Sequence, residues 1–585
     1  MADAPAPIEI NRLGVTEPSG SDRVRKLITR ATKRASAMIQ ERQPFLYHWR
    51  DISRFMDPRR GQFLWGKKKG AKEHQSIVNN RAFKSAKVMG AGFQSGNTSR
   101  SRPWFRMTTL VPGADKTHEA ALWLSAVVDL LREVFDRSNF YETTRVSYRE
   151  LGEFGVMAFS MLRDFDDVLR CRQHEIGSYC MGIDYRGTPD TFYEEFVLTV
   201  SQMADRYDYD NLSTAIQNKI DKGESLDETV MVKRMIEPNR GDDFVQGARG
   251  WRGAPFRMLD WDGGDPDNKA LALEPFDYFP VVYVRWEPST EHAYSVTWPG
   301  AEALGDIKQM QSYEEGLAKM AELIWDPSLV ATAQLRGQLA GPPDPGDMLY
   351  VDSFQGQEQV RRVFELNPQI AELVALIEKI EMRVASAFHE DVFKAISMIE
   401  RGNVREQEIL ARIREQMMEL GPVVEGLNDQ LNDPAIGIAY ALCESAGLVP
   451  PLPPVLEGMP LKPDYISVLA QSQKSVDISQ LDQQLMVTSA AIEVDPSARH
   501  RFNGDGFLVE YFHKLGVSPS TIHSDEEVEA AVEAEQQAIA RQQAVEMAKM
   551  GADAAKSASG ASMEGDTMLS RMGNQQPQPS RGELN

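Results

Sequence analysis

The sequence predicts a mainly helical α+β protein, and three features point that way. Apolar residues recur at helical spacing over 24–55, 77–93 and 118–135. After Phe154 the period changes to two, and from residue 302 onward it is helical again, broken by a short Gly- and Pro-rich module. Helical and strand runs that are segregated, instead of alternating as βαβ units, are the mark of α+β architecture.

Residues 1–20 show no periodicity and read as a flexible arm. The helix over 24–55 stops at Asp57-Pro58. The helix over 77–93 carries the small residues Ala86, Gly90 and Ala91 on one side, suited to close packing. The third, over 118–135, has Leu122, Val127, Leu130, Leu131 and Val134 as its apolar members. In SYCMGIDY, Tyr179, Met181, Ile183 and Tyr185 alternate, RGTP turns the chain, and Phe192, Phe196, Leu198 and Val200 carry the alternation back, which makes a hairpin. MVKRMIEP near Met231 and YFPVVYVRW at 278–286 read as further strands.

A helix over 302–324 ends at Asp326-Pro327, and 331–367 is an irregular module with the short strand MLYV. Pro368 opens a long helix striped by Ile370, Leu373, Val374, Ile377, Ile380 and Val384. At ~1.5 Å per residue, its run of roughly 25 residues spans about 38 Å. SMIERGN at 397–403 interrupts the pattern, which resumes over 406–420 up to Gly421-Pro422. LVPPLPP at 448–454 is a stiff linker. Ser524 and Glu527 form a capping box for an Ala-, Glu- and Gln-rich helix expected to end at Gly551, followed by a polar tail from 557 read as disordered.

The length of 585 residues, 42% hydrophobic content and 26% charged content fit a multi-domain soluble protein with ample core. No apolar run is long enough to span a membrane, and the N-terminus lacks the basic-then-apolar pattern of a secretory signal. Cys171, Cys180 and Cys443 form no CxxC and are too few for a disulfide framework, so they are expected to be reduced thiols. The formal net charge is −22. Proteins that grip nucleic acid by its phosphates carry a basic surplus, so the chain as a whole should repel DNA. Its positive charge gathers between Arg23 and Arg106, GKKKGAK at 66–72 included.

No motif for catalysis, metal or cofactor stands up. GQFLWGKK at 61–68 matches GxxxxGK, but Lys68 stands where a phosphate loop needs Ser or Thr for Mg²⁺, and no buried strand precedes it. A solvated basic loop is the better reading. FHEDVF lacks the second His of HExxH. The acidic turn DWDGGDPD, with Asp260, Asp262, Asp265 and Asp267, misses the EF-hand spacing and reads as solvated. There is no GxSxG, and the nine His show no triad-like pattern. GFQSGNTSRSRPWFRM at 92–107 suits either a phosphate-touching turn or a joint between elements. We favour the joint, with Trp104 and Phe105 as anchors after Pro103, and Arg100, Arg102 and Arg106 pairing with acidic neighbours.

A series of segments in fixed order resembles the head-to-tail connecting (portal) proteins of short-tailed bacteriophages. These are QPFLYHWRDISRFMDPRRGQF, GFQSGNTSRSRPWFRM, FPVVYVRW, LGDIKQMQ, WDPSLV, ELGPVVEGLN, GLVPPLPP and DYISVLAQSQKS, covering roughly 25–515. After RW the family tends toward a Tyr-Gly motif where EPSTEHAYSVTWPG stands here, and near Gly402 its Thr-rich run is replaced by NVREQEI.

The resemblance implies a ring of twelve copies with double-stranded DNA passing through its centre, without catalysis of its own. It also implies docking to the terminase large subunit, major capsid and scaffolding proteins, and tail adaptor or nozzle proteins. The implied portal-type subunit divides into an arm (1–20), wing (21–300), stem helix (301–330), clip (331–367), second stem helix (368–395), tunnel loop (396–404), wing or channel helix (405–450), crown (451–523), C-terminal barrel helix (524–551) and tail (552–585). Met398, Ile399, Glu400, Arg401, Gly402 and Asn403 would form the tunnel loop, and Glu372, Glu378, Lys379 and Glu381 are channel-lining candidates. Another head–tail structural protein, such as an adaptor or internal core component, is the alternative.

Overall fold

The computed structural model describes residues 21–61, 77–111, 117–265, 269–327, 329–332, 348–351, 360–362, 370–394, 420–467, 484–490 and 525–559, with a few single positions besides. It is a mixed α+β architecture with antiparallel sheets.

Helix α1 (Asp22–Phe55) starts where the Ser21 hydroxyl accepts the Val24 N–H at 3.3 Å and Asp22 meets the positive end of the helix dipole. Its first half buries Val24, Leu27, Ala31, Ala35 and Met38, a helical stripe, against Tyr193, Trp251 and Trp261. Its second half buries Trp49 and Ile52 in the main core. One long helix therefore joins two cores. Pro44 lies inside it, where its missing N–H leaves one helical bond unmade.

Helix α2 (Arg81–Gly96) begins four residues later than its pattern suggested, because 77–80 are held by other elements. Strand β1 (Phe105–Thr109), helix α3 (His118–Arg137) and helix α4 (Phe140–Phe154) follow. Leu122, expected on the apolar face of α3, is 40% exposed; Ala120, Trp123, Leu124 and Val128 are buried instead. Helix α4 ends at Gly155, whose φ of +78° gives the left-handed cap that glycine adopts without strain.

Strands β2 (Val156–Asp164), β3 (Val168–Gln173), β4 (Tyr179–Ile183) and β5 (Pro189–Thr199) come next. The β4–β5 hairpin forms as the alternation predicts, pairing Tyr179 with Glu194. Tyr185 does not point inward: it lies in the turn, 85% exposed. Val200 is not a strand residue either. It opens α5 (Val200–Arg206) behind a capping box of Thr199 and Gln202. After α6 (Thr214–Lys222), strands β6 (Thr229–Pro238), β7 (Phe256–Asp262) and β8 (Ala270–Phe276) complete a five-stranded antiparallel sheet in the order β4-β5-β6-β7-β8. Strand β9 (Val281–Arg285) pairs with β2, giving the order β3-β2-β9.

Open sheet edges invite unwanted pairing, and side chains cover them here. The Asn139 amide bonds both the N–H and the carbonyl of Cys171 on β3, at 2.8 Å each. Arg42 of α1 donates to the Tyr179 carbonyl at 2.6 Å, covering β4.

The short helix α7 (Pro299–Glu302) leads into α8 (Leu304–Trp325), close to the predicted bounds. Within 331–367 the described residues form strands, with β10 (Leu329–Thr332) parallel to β11 (Met348–Val351) and antiparallel to β12 (Val360–Arg362). Helix α9 (Ile370–Ala387) returns beside α8. Of its predicted stripe only Ile377, Ile380 and Val384 are buried; Ile370 and Val374 are exposed. Residues 420–427 are helical, with Gly421-Pro422 near the start of the described stretch; the helix expected over 406–420 lies, but for Leu420, outside the described residues. A π-helical turn at Asn428–Asn432 joins them to α10 (Asp433–Ser445). Strand β13 (Leu461–Tyr465) pairs with β1. Helix α11 (Asp525–Ser559) continues through Gly551, and its residues 530–553 are exposed; Ser524, the expected cap, lies outside the described residues. No helix among the described residues is long and apolar enough to cross a membrane.

Candidate functional site

The two rods α8 and α9 are fastened to the body by one polar clamp. Gln311 of α8 accepts the N–H groups of Val78 and Asn79 at 2.7 and 2.8 Å, and its own amide donates to the Asn79 carbonyl at 2.7 Å. The Asn79 amide then donates to Glu314 of α8 at 2.9 Å and to Glu381 of α9 at 2.7 Å. A single asparagine thus ties both rods to the start of α2. Arg383 of α9 pairs with Asp306 of α8 at 2.7 Å, and Lys308 of α8 pairs with Asp51 of α1 at 2.7 Å. Of the channel candidates, Glu372, Glu378 and Lys379 are exposed, while Glu381 is half-buried in the clamp.

Helix α9 ends at Ala387, short of the 395 expected, and two residues on His389 takes a φ of +49°, a left-handed conformation uncommon for a residue with a side chain. Immediately after it, Glu390 is gripped by Arg81 at 2.8 Å, Ser85 at 2.8 Å and Lys394 at 2.6 Å. Phe393 packs on Phe93 with ring centroids 4.7 Å apart, directly over Gly92. Of the small residues predicted on α2, Ala86 is buried and Gly90 lies against Arg149 of α4, but Ala91 faces outward. On the other side of the segment 395–419, Leu420, Val424 and Leu427 are wholly buried. Both flanks of that segment are therefore planted in the main core. Met398, Ile399, Glu400, Arg401, Gly402 and Asn403 lie outside the described residues, as does GKKKGAK.

In the turn after α2, Asn97 and Thr98 are buried and meet the Tyr148 hydroxyl at 3.0 Å each. Arg100 pairs with Asp136 at 3.1 Å, Arg102 and Pro103 are exposed, and Trp104 donates to the Tyr141 hydroxyl at 3.3 Å. Trp104 and Phe105 are fully buried with Phe135 and Phe140. Arg106 stands opposite Asp464 in the strand register; burial pulls its pKa down against the favourable pull of that carboxylate. Much of the early positive charge is taken up inside the subunit. Arg30 pairs with Asp243, Arg34 with Asp190 at 3.7 Å, and Arg60 with Glu150 at 3.2 Å.

Two buried polar clusters escaped the sequence reading. In the first, Ser160 Oγ lies 2.6 Å from His174 Nε2, and His174 Nδ1 lies 2.9 Å from Glu194. The spacing is that of a nucleophile, base and acid. However, Ser160 sits in the middle strand of a sheet, paired with Arg172 on one side and Val281 on the other, and is 4% exposed. A substrate has no way in, and the backbone is committed to the ladders. The cluster links the two sheets. Burial pushes the Glu194 carboxyl up, but His174, Arg172 and Arg234 outweigh it and bring the group down to about 2. Ser160 comes from β2, His174 from just past β3 and Glu194 from β5, so no local motif announces them.

In the second, Asp260 accepts two parallel hydrogen bonds from Arg234, at 2.8 and 2.7 Å, and one from the Tyr207 hydroxyl at 2.9 Å. Asp260 is therefore fully buried, contrary to the solvated turn expected for DWDGGDPD. Asp262 and Asp265 bond backbone N–H groups of their own turn. No group of three or more potential metal ligands occurs among the described residues.

Burial raises the pKa of two carboxyls at the junction of α1 and α4. Burial raises Glu150 to about 7 despite Arg60, and raises Glu153 well above its ordinary range despite Arg149. A folded state that holds such a proton binds more protons than the unfolded chain, so stability falls as pH rises. For Glu150 the fall runs from 4.5 to about 7. Glu150→Gln is expected to flatten this part of the curve of melting temperature against pH. Parallel wild-type and variant curves from pH 4.5 to 7.5 would contradict it.

Comparison with known proteins defines the class. A model of the bacteriophage head-to-tail connecting protein family matches residues 29–522. The portal protein of Salmonella phage epsilon15 is 31% identical over 531 residues, 91% of this chain and 95% of that protein. The probable portal protein of Bordetella phage BPP-1 is 30% identical over 518 residues, 88% of this chain and 92% of that protein. The chain belongs to the head-to-tail connecting, or portal, protein family: it is a structural component of the virion, placed between capsid and tail.

Proposed function

We propose that identical copies close into a twelvefold ring at one capsid vertex, through which double-stranded DNA enters during packaging and leaves on ejection. The ring performs no chemistry itself. A separate terminase large subunit drives the DNA, and tail adaptor or nozzle proteins take its place afterwards. Capsid and scaffolding proteins meet the wing, residues 21–300. Helices α8 and α9 are the stem bordering the hole, 331–367 is the clip, 396–404 the tunnel loop, 451–523 the crown and 524–551 the barrel helix. Residues 100–106 are a joint within this frame.

The observation that carries the reading is the clamped pair α8–α9. The rods lie side by side from a fixed base, yet Trp325, Ile370, Val374 and Met382 remain exposed along them. Apolar rods with this much uncovered surface fit a neighbour on each side, as the heterologous contact of a closed ring supplies. Their charge also suits a conduit. Helix α8 has Asp306, Glu314, Glu315 and Glu322 against Lys308 and Lys319, and α9 has Glu372, Glu378 and Glu381 against Lys379 and Arg383. Twelve chains at −22 carry −264, and acidic walls repel the DNA polyanion, so it slides without deep binding wells.

Deleting residues 399–403 is expected to leave rings assembled while lowering the amount of genome packaged or retained. Loss of ring assembly in that variant would show instead that the segment is structural.

A further inference from the structure

We infer that one copy of this chain binds the next head to tail across the two covered faces of its five-stranded sheet, the basic flank of α1 seating against the acidic α5–α6 face of its neighbour. The inference rests on the proposed self-association and adds where the copies touch.

Side chains alternate between the faces of a strand, so residues three apart point to opposite sides. On β5, Tyr193 packs with Val24, Leu27 and Met38 of α1, whereas Phe196 packs with the cluster of α5 and α6. On β6, Met235 and Val232 divide the same way. Helix α1 therefore covers one face of the sheet, and α5 with α6 covers the other. The two helical layers are the outer surfaces of a three-layer sandwich and look in opposite directions.

These layers carry opposite charge. Residues 22–34 hold six cations against Asp22, a surplus of five. Arg23, Lys26, Arg30 and Lys33 are all exposed, and at about 100° per residue they fall within an arc of about 80°, off the buried stripe. Arg30 pairs with Asp243, but that carboxylate is shared with Arg257, so the surplus stands. Residues 205–228 hold seven carboxylates against Arg206, Lys219 and Lys222, a surplus of four. Asp205, Asp210, Asp221, Glu224 and Asp227 are exposed there. Each surface also bears a pair of exposed apolar side chains: Phe244 and Val245, directly after Asp243, on the basic side, and Tyr209 and Leu226 on the acidic side.

The occupant follows from this distribution. Two copies meeting by the same face would set like charges together, which is costly. A copy meeting the next by the opposite face sets a surplus of five cations against a surplus of four carboxylates, and the chain supplies both halves of the match itself. Contacts of that kind are heterologous, and they close into a ring when the rotation between copies allows it. At physiological salt, charges act over about 8 Å, so the two surfaces must come into contact for the match to count.

The test uses the full-length chain and two double variants at exposed positions, Lys26→Glu with Lys33→Glu and Glu224→Lys with Asp227→Lys. Expressed alone, each should contain roughly tenfold less oligomer than the wild type in sedimentation velocity at physiological salt, because like charges now face each other. Co-expressed, one chain presents two acidic faces and the other two basic ones. They should assemble again, in equal proportion and in alternation. A chain carrying all four changes should also recover. Should a double variant fail to fold, as its circular dichroism melt would show, Lys33→Glu and Asp227→Lys singly carry the same expectation. Either variant assembling alone as the wild type does, or folded partners that fail to assemble together, overturns this contact and leaves the ring reading standing. A basic-face variant that assembles normally yet no longer retards duplex DNA in a gel overturns it in favour of phosphate. A wild type that is itself monomeric overturns the ring reading and this contact together.

Discussion

Gly92→Ala will lower the stability of the chain by about 3 kcal/mol, near the top of the usual cost of overpacking. A Cβ at this position would stand 2.2 Å from Phe393 Cδ1, 2.4 Å from its Cγ and 2.5 Å from its Cβ. The obstacle is the root of an aromatic side chain whose ring is already wedged against Phe93, so no rotamer change clears it. Either α2 or the helical turn at 390–394 must shift, and that turn holds one flank of 395–419. Gly152→Ala is the control. Its Cβ would come within 1.8 Å of a neighbour, closer still, but that neighbour is the terminal methyl of Met89. A thioether methyl swings aside easily, and alanine favours the helix, so a change within about 1 kcal/mol is expected. Melting temperature and hydrogen exchange at 390–394 read the difference. Equal stability of the two variants would refute the account of this packing.

Asp260→Ala is expected to cost about 3–5 kcal/mol, the penalty for leaving one member of a buried ion pair alone. Arg234 is almost wholly buried, and its two bonds to Asp260 are its closest. Removing the carboxylate strands a guanidinium between β6 and β7 and also leaves the Tyr207 hydroxyl without its acceptor. Replacing both partners by apolar residues, Arg234→Met with Asp260→Leu, should recover most of the loss, because the penalty comes from the unpaired charge more than from the missing bond. Thermal unfolding of the two variants decides it: a double variant no more stable than Asp260→Ala would mean that the pair contributes through its own attraction.

The long amphipathic helices were legible because their buried faces are apolar and regular. Helices α1, α3 and α8 fall near their expected places for this reason. Helix α4 was not visible as a helix, since it buries Thr143, Thr144, Ser147, Glu150 and Glu153 where apolar residues would have announced it. Its polar inward face meets Arg60 after α1 and, from α4 itself, Arg149 and the Thr143 carbonyl that accepts from Ser147. The acidic turn misled for a related reason: Asp260 looks like a surface residue until Arg234, on the neighbouring strand, is seen beside it. Period-two alternation located the hairpin but misplaced its tip, because Tyr185 continues the pattern past the point where Asp184 turns the chain. The clamp around Asn79 and the hydrogen bond from the Asn432 amide to Asn97 join residues hundreds of positions apart, and spacing along one chain carries no trace of such pairs. What was readable of the site was its frame of two rods; its fastenings were not.

The central claim is that many copies of this chain enclose a hole bordered by α8 and α9. Electron cryomicroscopy of the purified full-length protein tests it most directly. The account predicts a closed ring, twelve subunits around, with both rods against the axial opening and their acidic residues toward it. A stable monomer, or a ring in which α8 and α9 lie on the outer rim, would contradict it.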